Sequence, residues 1–341
     1  MTDCMKKLIV ITLVLAMVFS MTACSSQKAA PVESDETDTP EEEIKMGVDY
    51  VSFGGGVTGG SYNVLSSGMC QIFSEKVSGV TVNAETTSGS TENMKSLIAN
   101  SIDMGFATAD SAYCAREGIR EFEELGGADI KMVLAGFANW YHVIVRADSG
   151  IKSIADLKGK TIGCNSGVQV IHYVPETMKV FGVKEGEYTI TPLTTSELAD
   201  AMRDKQIDCI MQYGGIPTSA YTDLATTTDI IVLPIDGEYA DAMLKVFPYF
   251  SKGVLPAGSY RGITEDVPGI CVRTGVFANA SFDEEFVYQF TKCILEKNDE
   301  LAQIYAPGSE FTVEQLIKFN ETGLIPLHDG VIRYLKEVGK M

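Results

Sequence analysis

Apolar residues follow two different periods along the chain from residue 48 onward. Short runs rich in β-branched residues predict strands, and stretches with apolar residues three and four apart predict helices. Strands are predicted at 48–53, 80–84, 103–107, 132–138 and 141–146, with helices at 61–77, 92–100 and 110–117. This alternation of strand and helix is typical of a mainly parallel sheet covered by helices.

A second unit with the same pattern follows residue 147, without a sequence repeat. Strands are predicted at 161–164, 188–192, 207–212 and 230–235, and helices at 168–181, 197–204 and 218–225. A return strand at 267–276 and helices at 283–305, 313–320 and 331–338 lead back to the first unit. We predict an α/β fold of two lobes, each a mainly parallel sheet with helices on both faces. Lobe I is 48–146 plus 276–341, lobe II is 147–275, and two crossing strands near Arg146 and Cys271 join them.

The first 23 residues have the pattern of a lipoprotein signal peptide. Lys6 and Lys7 precede an apolar run at 8–21 that is short for a membrane span, and small residues then lead to Cys24. Translation starts at Met1 or at Met5. We expect the protein to be exported and held at the outer face of the cytoplasmic membrane by lipid on Cys24.

Residues 24–47 are predicted to form a flexible acidic tether. The segment 25–47 carries seven acidic residues and two lysines and offers almost nothing to a core. The whole chain has a net charge of −19, which argues against binding to nucleic acid. An anionic ligand must therefore be held by local donors.

The cysteines and histidines give no pattern for metal binding or catalysis. None of the eight cysteines has CxxC spacing, and six of them lie singly in apolar stretches, which favours buried thiols and leaves a disulfide possible. His142, His172 and His328 lack metal-ligand spacing, and neither GxSxG nor HExxH occurs. We therefore expect neither an enzyme nor a protein with a cofactor or metal.

A glycine-rich loop at 54–62 follows the first strand and opens a helix. Glycines let a backbone approach a ligand, and a helix start offers free N–H groups to an anion. Gly54, Gly56 and Gly59 also satisfy GxGxxG, with Glu85 ending the next strand, so a dinucleotide site is an alternative. A simple tight turn is another.

Two further loops of lobe I lie between a strand and a helix. The loop at 86–93 is rich in hydroxyl groups, including Ser88, and Ser90 with Asn93 resembles a capping box. Asp110 follows the third strand as either a helix cap or a partner for a ligand ammonium group. These loops and the glycine-rich loop are expected to meet beyond the carboxyl ends of the strands.

Lobe II has two comparable loops, 165–168 and 213–217. Trp140 either packs in the core or walls the pocket. Four arginines are candidate partners for a ligand carboxylate: Arg116, Arg146, Arg261 and Arg273.

The ordered set of short motifs resembles the TAXI family of TRAP-transporter solute-binding proteins. The matching segments are GGVTGGSY at 55–62, TSGSTEN at 87–93, IDMGFA at 102–107, VRADSGI at 145–151, LKGK at 157–160, LPIDG at 233–237, PAGSY at 256–260 and IPLHDG at 325–330. The resemblance covers nearly all of the chain from residue 48.

The resemblance implies a two-lobed, type II periplasmic-binding fold that delivers an acidic amino acid such as glutamate, or a dicarboxylate, to a permease driven by an ion gradient. The partners would be the solute, a TRAP-type permease and the membrane, with the protein itself a monomer. The ligand-binding residues would be Thr58, Gly60, Tyr62, Ser88, Ser90, Asn93 and Thr108 from lobe I, and Ser166, Gly167, Val168, Gly214, Gly215 and Pro217 from lobe II.

Two positions depart from the family pattern. Asn63 stands where a second aromatic residue is frequent, and Val168 stands where a hydroxyl residue is common. The loss of a hydroxyl at Val168 favours a carboxylate other than glutamate. Two other functions fit the same fold: a ligand-sensing or surface-interaction lipoprotein, and an exported enzyme.

Overall fold

The computed structural model describes residues 46–341. The predicted signal peptide, Cys24 and all but the end of the predicted tether lie outside the described residues. Within residues 46–341, no helix is both long and apolar enough to cross a bilayer.

A ten-stranded sheet runs through the described chain. Its strands are β1 (Tyr50–Gly54), β2 (Thr81–Glu85), β3 (Met104–Thr108), β4 (Ile130–Arg146), β5 (Thr161–Cys164), β6 (Thr189–Pro192), β7 (Cys209–Gly214), β8 (Ile230–Val232), β9 (Phe250–Leu255) and β10 (Val267–Asn279). The order is β2-β1-β3-β10-β4-β7-β5-β6, with β8 beside β4 and β9 beside β10. β1 is parallel to β2 and β3, and β5 is parallel to β6 and β7.

Helices cover the sheet. They are α1 (Ser61–Lys76), α2 (Ser90–Ile98), α3 (Ala109–Glu117), α4 (Val174–Val180), α5 (Thr195–Arg203), α6 (Ser219–Thr227), α7 (Gly237–Val246), α8 (Glu284–Glu296), α9 (Asn298–Ile304), α10 (Val313–Asn320) and α11 (Asp329–Glu337). A π-helical turn, Gln169–Tyr173, leads directly into α4. A helix widened in this way is frequent at functional sites.

The long strands β4 and β10 connect the two lobes. β4 pairs with β10 as far as Trp140 and with β7 from Trp140 onward. β10 pairs with β9 through Val272 and with β3 from Thr274. The strand order is the same in both lobes. In lobe I it is β2-β1-β3, with β3 beside the crossing strand β10, and in lobe II it is β6-β5-β7, with β7 beside the crossing strand β4. The prediction of two α/β lobes joined by two crossing strands is confirmed, and the residue boundaries between the lobes stay a prediction.

Several elements differ from their predicted form. The predicted strands 132–138 and 141–146 form the single strand β4, because the backbone at Asn139 and Trp140 keeps its pairing. The predicted helix 168–181 begins as the π turn, since Pro175 lacks the N–H that would bond back to the carbonyl of Ile171. The predicted helix 283–305 is divided at Lys297, whose φ of −117° is not helical.

Two elements of lobe II escaped prediction. Strand β9 contains Ser251, Lys252 and Gly253, which hide the alternation of apolar residues expected of a strand. Helix α7 begins at Gly237, where φ is +49°. In both cases pairing or packing against the rest of the lobe outweighs a weak local pattern.

Candidate functional site

The two lobes enclose an interlobe cleft beyond the ends of their parallel strands. The cleft contains a cavity of about 610 Å³, a size suited to a small molecule. Loops and helix starts that follow β1 and β2 form one wall, and residues on or after β5 and β7 form the other. The lining residues are Gly56, Val57, Gly60, Ser61, Tyr62, Ser88, Gly89, Ser90, Asn165, Gln169, Gln212 and Tyr213.

Two helices of lobe I begin at this cleft with a glycine in the N-cap position. Gly60 precedes α1 and Gly89 precedes α2, and among residues 46–341 neither start has a side-chain cap. By contrast, Thr194 and Asp283, which do not line the cavity, cap α5 and α8 with their side chains. The first N–H groups of a helix lack intrahelical partners and carry partial positive charge. The starts of α1 and α2 therefore offer donors to an anionic group.

Tyr62 is held rigidly at the lobe I wall of the cleft. Its ring stacks on Phe106 with centroids 5.0 Å apart and lies 6.2 Å from the ring of Phe137. Burial raises the pKa of the Tyr62 hydroxyl, with the charge of Asp110 adding to the effect, and contacts with Ser90 and Asn139 only partly oppose it. The hydroxyl stays protonated and can donate a hydrogen bond to a ligand.

The wall of lobe II carries two glutamines with different surroundings. The amide of Gln212 donates to the hydroxyl of Thr195 at 3.3 Å and accepts from the hydroxyl of Tyr221 at 2.5 Å. Gln169, at the start of the π turn, is 9% exposed, and its Oε1 has no hydrogen-bond partner within the described chain. Gln212 is therefore fixed by the protein, whereas Gln169 has an acceptor to offer a ligand.

Asp110 lies beside the cleft in the first turn of α3. Its side chain is 7% exposed, and Oδ2 accepts a hydrogen bond from the hydroxyl of Tyr173 in lobe II. Oδ1 has no partner in the part of the chain that the structure describes. Burial raises the pKa of the Tyr213 hydroxyl, and the charge of Asp110 contributes, so the carboxylate acts on a residue that lines the cleft. The N-cap of α3 is Thr108, so Asp110 is not the cap of this helix.

The residues predicted to bind ligand divide into three groups. Those lining the interlobe cleft are Gly60, Tyr62, Ser88 and Ser90. Gly215 and Pro217 instead line a second cavity of about 380 Å³, together with Trp140. The remaining residues lie outside both linings: Thr58, Asn93, Thr108, Ser166, Gly167, Val168 and Gly214. Their binding roles stay predictions.

Sequence reasoning missed Gln169 and Gln212 as lining residues. Gln169 is the second residue of the helix predicted at 168–181 and Gln212 is the last residue of the strand predicted at 207–212, each in an otherwise apolar stretch. A polar side chain in such a stretch requires a partner when it is buried. The need of a buried glutamine for a hydrogen-bond partner was therefore the sequence signal that could have identified these two residues.

Asn93 lies beneath the cleft and binds the backbone of two strands there. Its side chain is fully buried, and its amide donates to the carbonyl oxygens of Gly54 at 3.1 Å, Gly55 at 2.7 Å and Phe106 at 2.8 Å. The predicted capping box with Ser90 is wrong, because Ser90 Oγ accepts the N–H of Thr108 instead. Asn93 ties the ends of β1 and β3 together and so positions the glycine-rich loop.

The glycines at the end of β1 also pack against protein atoms. A Cβ on Gly54 would lie 2.5 Å from Asn93 Oδ1, and one on Gly55 would lie 2.5 Å from Ser66 Oγ. A Cβ on Gly56, the second glycine of the GxGxxG pattern, would lie 3.2 Å from Cβ of Tyr62, whereas one on Gly59 would meet nothing within 4 Å among the described residues. The space beside Gly54 and Gly56 is therefore filled by protein atoms, which speaks against the close approach of a pyrophosphate that the dinucleotide alternative requires.

The four candidate arginines pair with carboxylates of the protein. Each makes one ion pair at 2.9–3.3 Å: Arg116 with Asp129, Arg146 with Asp148, Arg261 with Asp229, and Arg273 with Glu310. Within residues 46–341, the wall of the interlobe cleft includes no lysine, arginine, aspartate or glutamate.

The histidines and cysteines lie outside the cleft wall. His142 is fully buried, with Nε2 2.8 Å from the hydroxyl of Tyr260 and Nδ1 3.1 Å from the carbonyl of Trp140. The six cysteines of the described chain are buried and unpaired, and burial raises the pKa of Cys114 to about 12 and of Cys164 to about 11. Among residues 46–341, no group of His, Cys, Asp or Glu is placed to hold a metal ion.

Solved structures of binding proteins have a similar fold. The periplasmic sulfonate-binding protein of a putative sulfonate ABC transporter from Methylobacillus flagellatus KT is 12% identical, with 86% of this chain and 96% of that chain covered and a TM-score of 0.53. The periplasmic aliphatic sulphonate-binding protein of Escherichia coli is 15% identical, with 84% and 83% covered and a TM-score of 0.48. The first of these likenesses shows that the chain has the two-lobed fold of solute-binding proteins.

The sequence itself matches the model of the NMT1-like family over residues 53–339. The match includes both lobes, both crossing strands and every residue that lines the interlobe cleft. The chain therefore belongs to the NMT1-like family.

Proposed function

We propose that this protein captures a small carboxylate-bearing solute between its lobes and delivers it to a membrane permease. One observation carries the proposal: a cavity of about 610 Å³ is walled by both lobes and contains two helix starts without side-chain caps among the described residues. A carboxylate placed there accepts hydrogen bonds from the N–H groups of Ser61 and Ser90 and from the hydroxyl of Tyr62.

Lobe closure supplies the second half of the site. The loops of lobe I offer the helix starts, and lobe II brings Gln169 and Tyr213 against the same solute. A ligand that contacts both lobes favours the closed arrangement by its extra contacts there. The closed form is then the one that docks on the permease.

The solute class and the permease class rest on the sequence resemblance. It implies an acidic amino acid or a dicarboxylate as solute and a TRAP-type permease driven by an ion gradient. The named relative from Methylobacillus flagellatus KT belongs instead to a putative sulfonate ABC transporter. Solute uptake by membrane vesicles that survives depletion of ATP but stops when ionophores collapse the ion gradient supports the TRAP assignment. The opposite result assigns the protein to an ABC importer.

The proposal includes export and a lipid anchor on Cys24. Mass spectrometry of the mature N-terminus is expected to show a diacyl or triacyl group on that cysteine, and Cys24→Ser is expected to leave the protein in the soluble fraction. A soluble wild-type protein would contradict the anchor without affecting the binding role.

Binding is tested by thermal unfolding against amino acids, dicarboxylates and sulfonates, after any co-purified solute has been removed by unfolding and refolding. A ligand at 100 times its Kd stabilises the protein by about 2.7 kcal/mol. Tyr62→Phe is expected to lower the affinity for that ligand by about tenfold, because the substitution removes one hydroxyl group from the cleft. Tyr50→Phe, at a side chain that is 53% exposed, is the matched control. If none of these compounds raised the unfolding temperature, the result would contradict the proposed function.

A further inference from the structure

The electrostatics of the interlobe cleft disfavour a doubly negative solute. Within the described chain, the cleft wall has no cationic side chain, and the four arginines nominated as carboxylate partners already have carboxylate partners of their own. One carboxylate of a solute can use the starts of α1 and α2. A second would be buried without a counter-charge, which is strongly unfavourable.

Besides the hydroxyl of Tyr213, which can donate or accept, two acceptors at or beside the cleft lack a hydrogen-bond partner within the described chain. Oδ1 of Asp110 and Oε1 of Gln169 each lack a hydrogen-bond partner among residues 46–341, and both side chains are more than nine-tenths buried. Buried acceptors in folded proteins normally find a donor. A bound solute is the natural source of one here, because Gln169 lines the cavity.

Asp110 and Gln169 are connected through the π turn of lobe II. Tyr173 ends this turn, and its hydroxyl donates a hydrogen bond to the carboxylate of Asp110. The ring centroid of Tyr173 lies 5.1 Å from that of Tyr213, which is in the cleft wall. Gln169 begins the same turn. Asp110 does not itself line the cavity, and Tyr173 connects it to the wall that Gln169 and Tyr213 form from lobe II.

Arg120 is a cation that contacts Tyr173. Its guanidinium lies 5.5 Å from the ring centroid of Tyr173 and donates to the hydroxyl of Tyr249 at 3.2 Å. It forms an ion pair with Glu121 at 3.3 Å, and in the described residues it forms none with Asp110. Nη2 of Arg120 is itself buried without a hydrogen-bond partner, and among residues 46–341 the negative charge of Asp110 has no direct ionic partner.

Building on the proposed function, we propose that the solute is a zwitterion with one carboxylate and one protonated amine. The carboxylate binds at the starts of α1 and α2, and the amine donates to Oδ1 of Asp110 and Oε1 of Gln169. Amino acids with an uncharged side chain belong to this class. Dicarboxylates and simple carboxylic acids do not.

The test compares matched pairs of solutes that differ only in the amine. Calorimetry on the refolded protein would use leucine against 4-methylpentanoate, glutamine against glutaramate, and 4-aminobutyrate against butyrate, with succinate and glutarate as the dicarboxylates. We expect the amine-bearing member of the best pair to bind at least about tenfold more tightly than its partner, since a hydrogen bond to a charged group is lost in the latter.

Two variants separate recognition of the amine from lobe contact. Asp110→Asn keeps the size of the side chain and is expected to remove the preference for the amine. Tyr173→Phe removes the hydrogen bond between the lobes but keeps the charge of Asp110. It is expected to lower the affinity for both members of a pair by the same factor. Thermal unfolding without solute verifies that both variants fold.

The outcomes distinguish this inference from the proposed function. Tighter binding of succinate, glutarate or an amine-free acid would overturn the inference and leave solute binding intact. An equal loss for both members of a pair in Asp110→Asn would also overturn it. Failure of the wild-type protein to bind any of these solutes, or the sulfonates and acidic amino acids of the wider panel, would contradict the proposed function as well.

Discussion

The hydroxyl of Tyr173 in lobe II donates a hydrogen bond to the carboxylate of Asp110 in lobe I. The two residues are brought together by different means: Asp110 by the first turn of α3, and Tyr173 by the π turn before α4. The bond is buried and involves a charged acceptor, the stronger class of hydrogen bond. It is therefore a direct link between the two sides of the interlobe cleft.

Tyr173→Phe is expected to shift the solute-free protein toward open forms. A hydrogen bond to a charged group contributes about 1.5–3 kcal/mol, and its loss removes part of the preference for lobe contact. Small-angle scattering should show a larger radius of gyration for the variant. Tyr188→Phe, at a partly buried side chain of lobe II that does not line the cleft, is the control and should leave the radius unchanged. An unchanged radius in Tyr173→Phe would show that other contacts determine closure.

Asn93→Ala is expected to destabilise the protein by about 3 kcal/mol. The substitution removes the amide that donates to the carbonyl oxygens of Gly54, Gly55 and Phe106. The oxygen of Gly55 keeps a second donor, the hydroxyl of Thr87 at 3.3 Å, whereas the donor from Asn93 is lost at all three. Urea denaturation measures the change, and Thr91→Ala on the exposed face of the same helix should stay within about 0.5 kcal/mol of the wild type. A stable Asn93→Ala that loses solute binding would support the predicted contact between Asn93 and the ligand.

Gly54→Ala is expected to cost about 1–3 kcal/mol of stability, because the new methyl group collides with Asn93 Oδ1 at 2.5 Å. Gly269→Ala in β10 is the control, since a Cβ at that position meets nothing within 4 Å among the described residues. Equal midpoints for the two variants in urea would mean that the contact between Gly54 and Asn93 relaxes at little cost.

The protein is expected to lose stability in mild acid because His142 is buried in its neutral form. Burial lowers its pKa to about 4, whereas an unfolded chain has the ordinary value of 6.5. Between these values the unfolded state takes up a proton that the native state does not, so stability falls as the pH falls. The loss is about 1 kcal/mol between pH 7.5 and 5.5 and reaches about 3 kcal/mol below pH 4.

His142→Gln removes this titration and should flatten the dependence of unfolding free energy on pH over that interval. Burial also lowers the pKa of His172 and His328, so some slope remains in the variant. An identical slope in the variant and the wild type would rule out His142 as a source of the pH dependence.

Periodicity alone predicted most of the elements, because each lobe buries its strands and one face of its helices. The strand Thr161–Cys164 and the helix Val313–Asn320 were predicted at their observed bounds. The glycine-rich loop was also placed correctly at a helix start, and Gly60, Tyr62, Ser88 and Ser90 line the cleft as the loops suggested. These are local properties of the chain.

The tertiary structure decided the identity of the remaining site residues. Asn93 and Ser90 are near neighbours in a polar loop, yet one is buried under three carbonyl groups and the other faces the cleft. Gln169 and Gln212 have the same side chain, yet hydrogen bonds with Thr195 and Tyr221 fix only Gln212. Three of the four candidate arginines pair with carboxylates that are distant in sequence, such as Arg273 with Glu310, whereas Arg146 pairs with Asp148. Sequence by itself determined which segments become strands, helices and polar loops, whereas the partner of each polar group depends on long-range packing that no local pattern records.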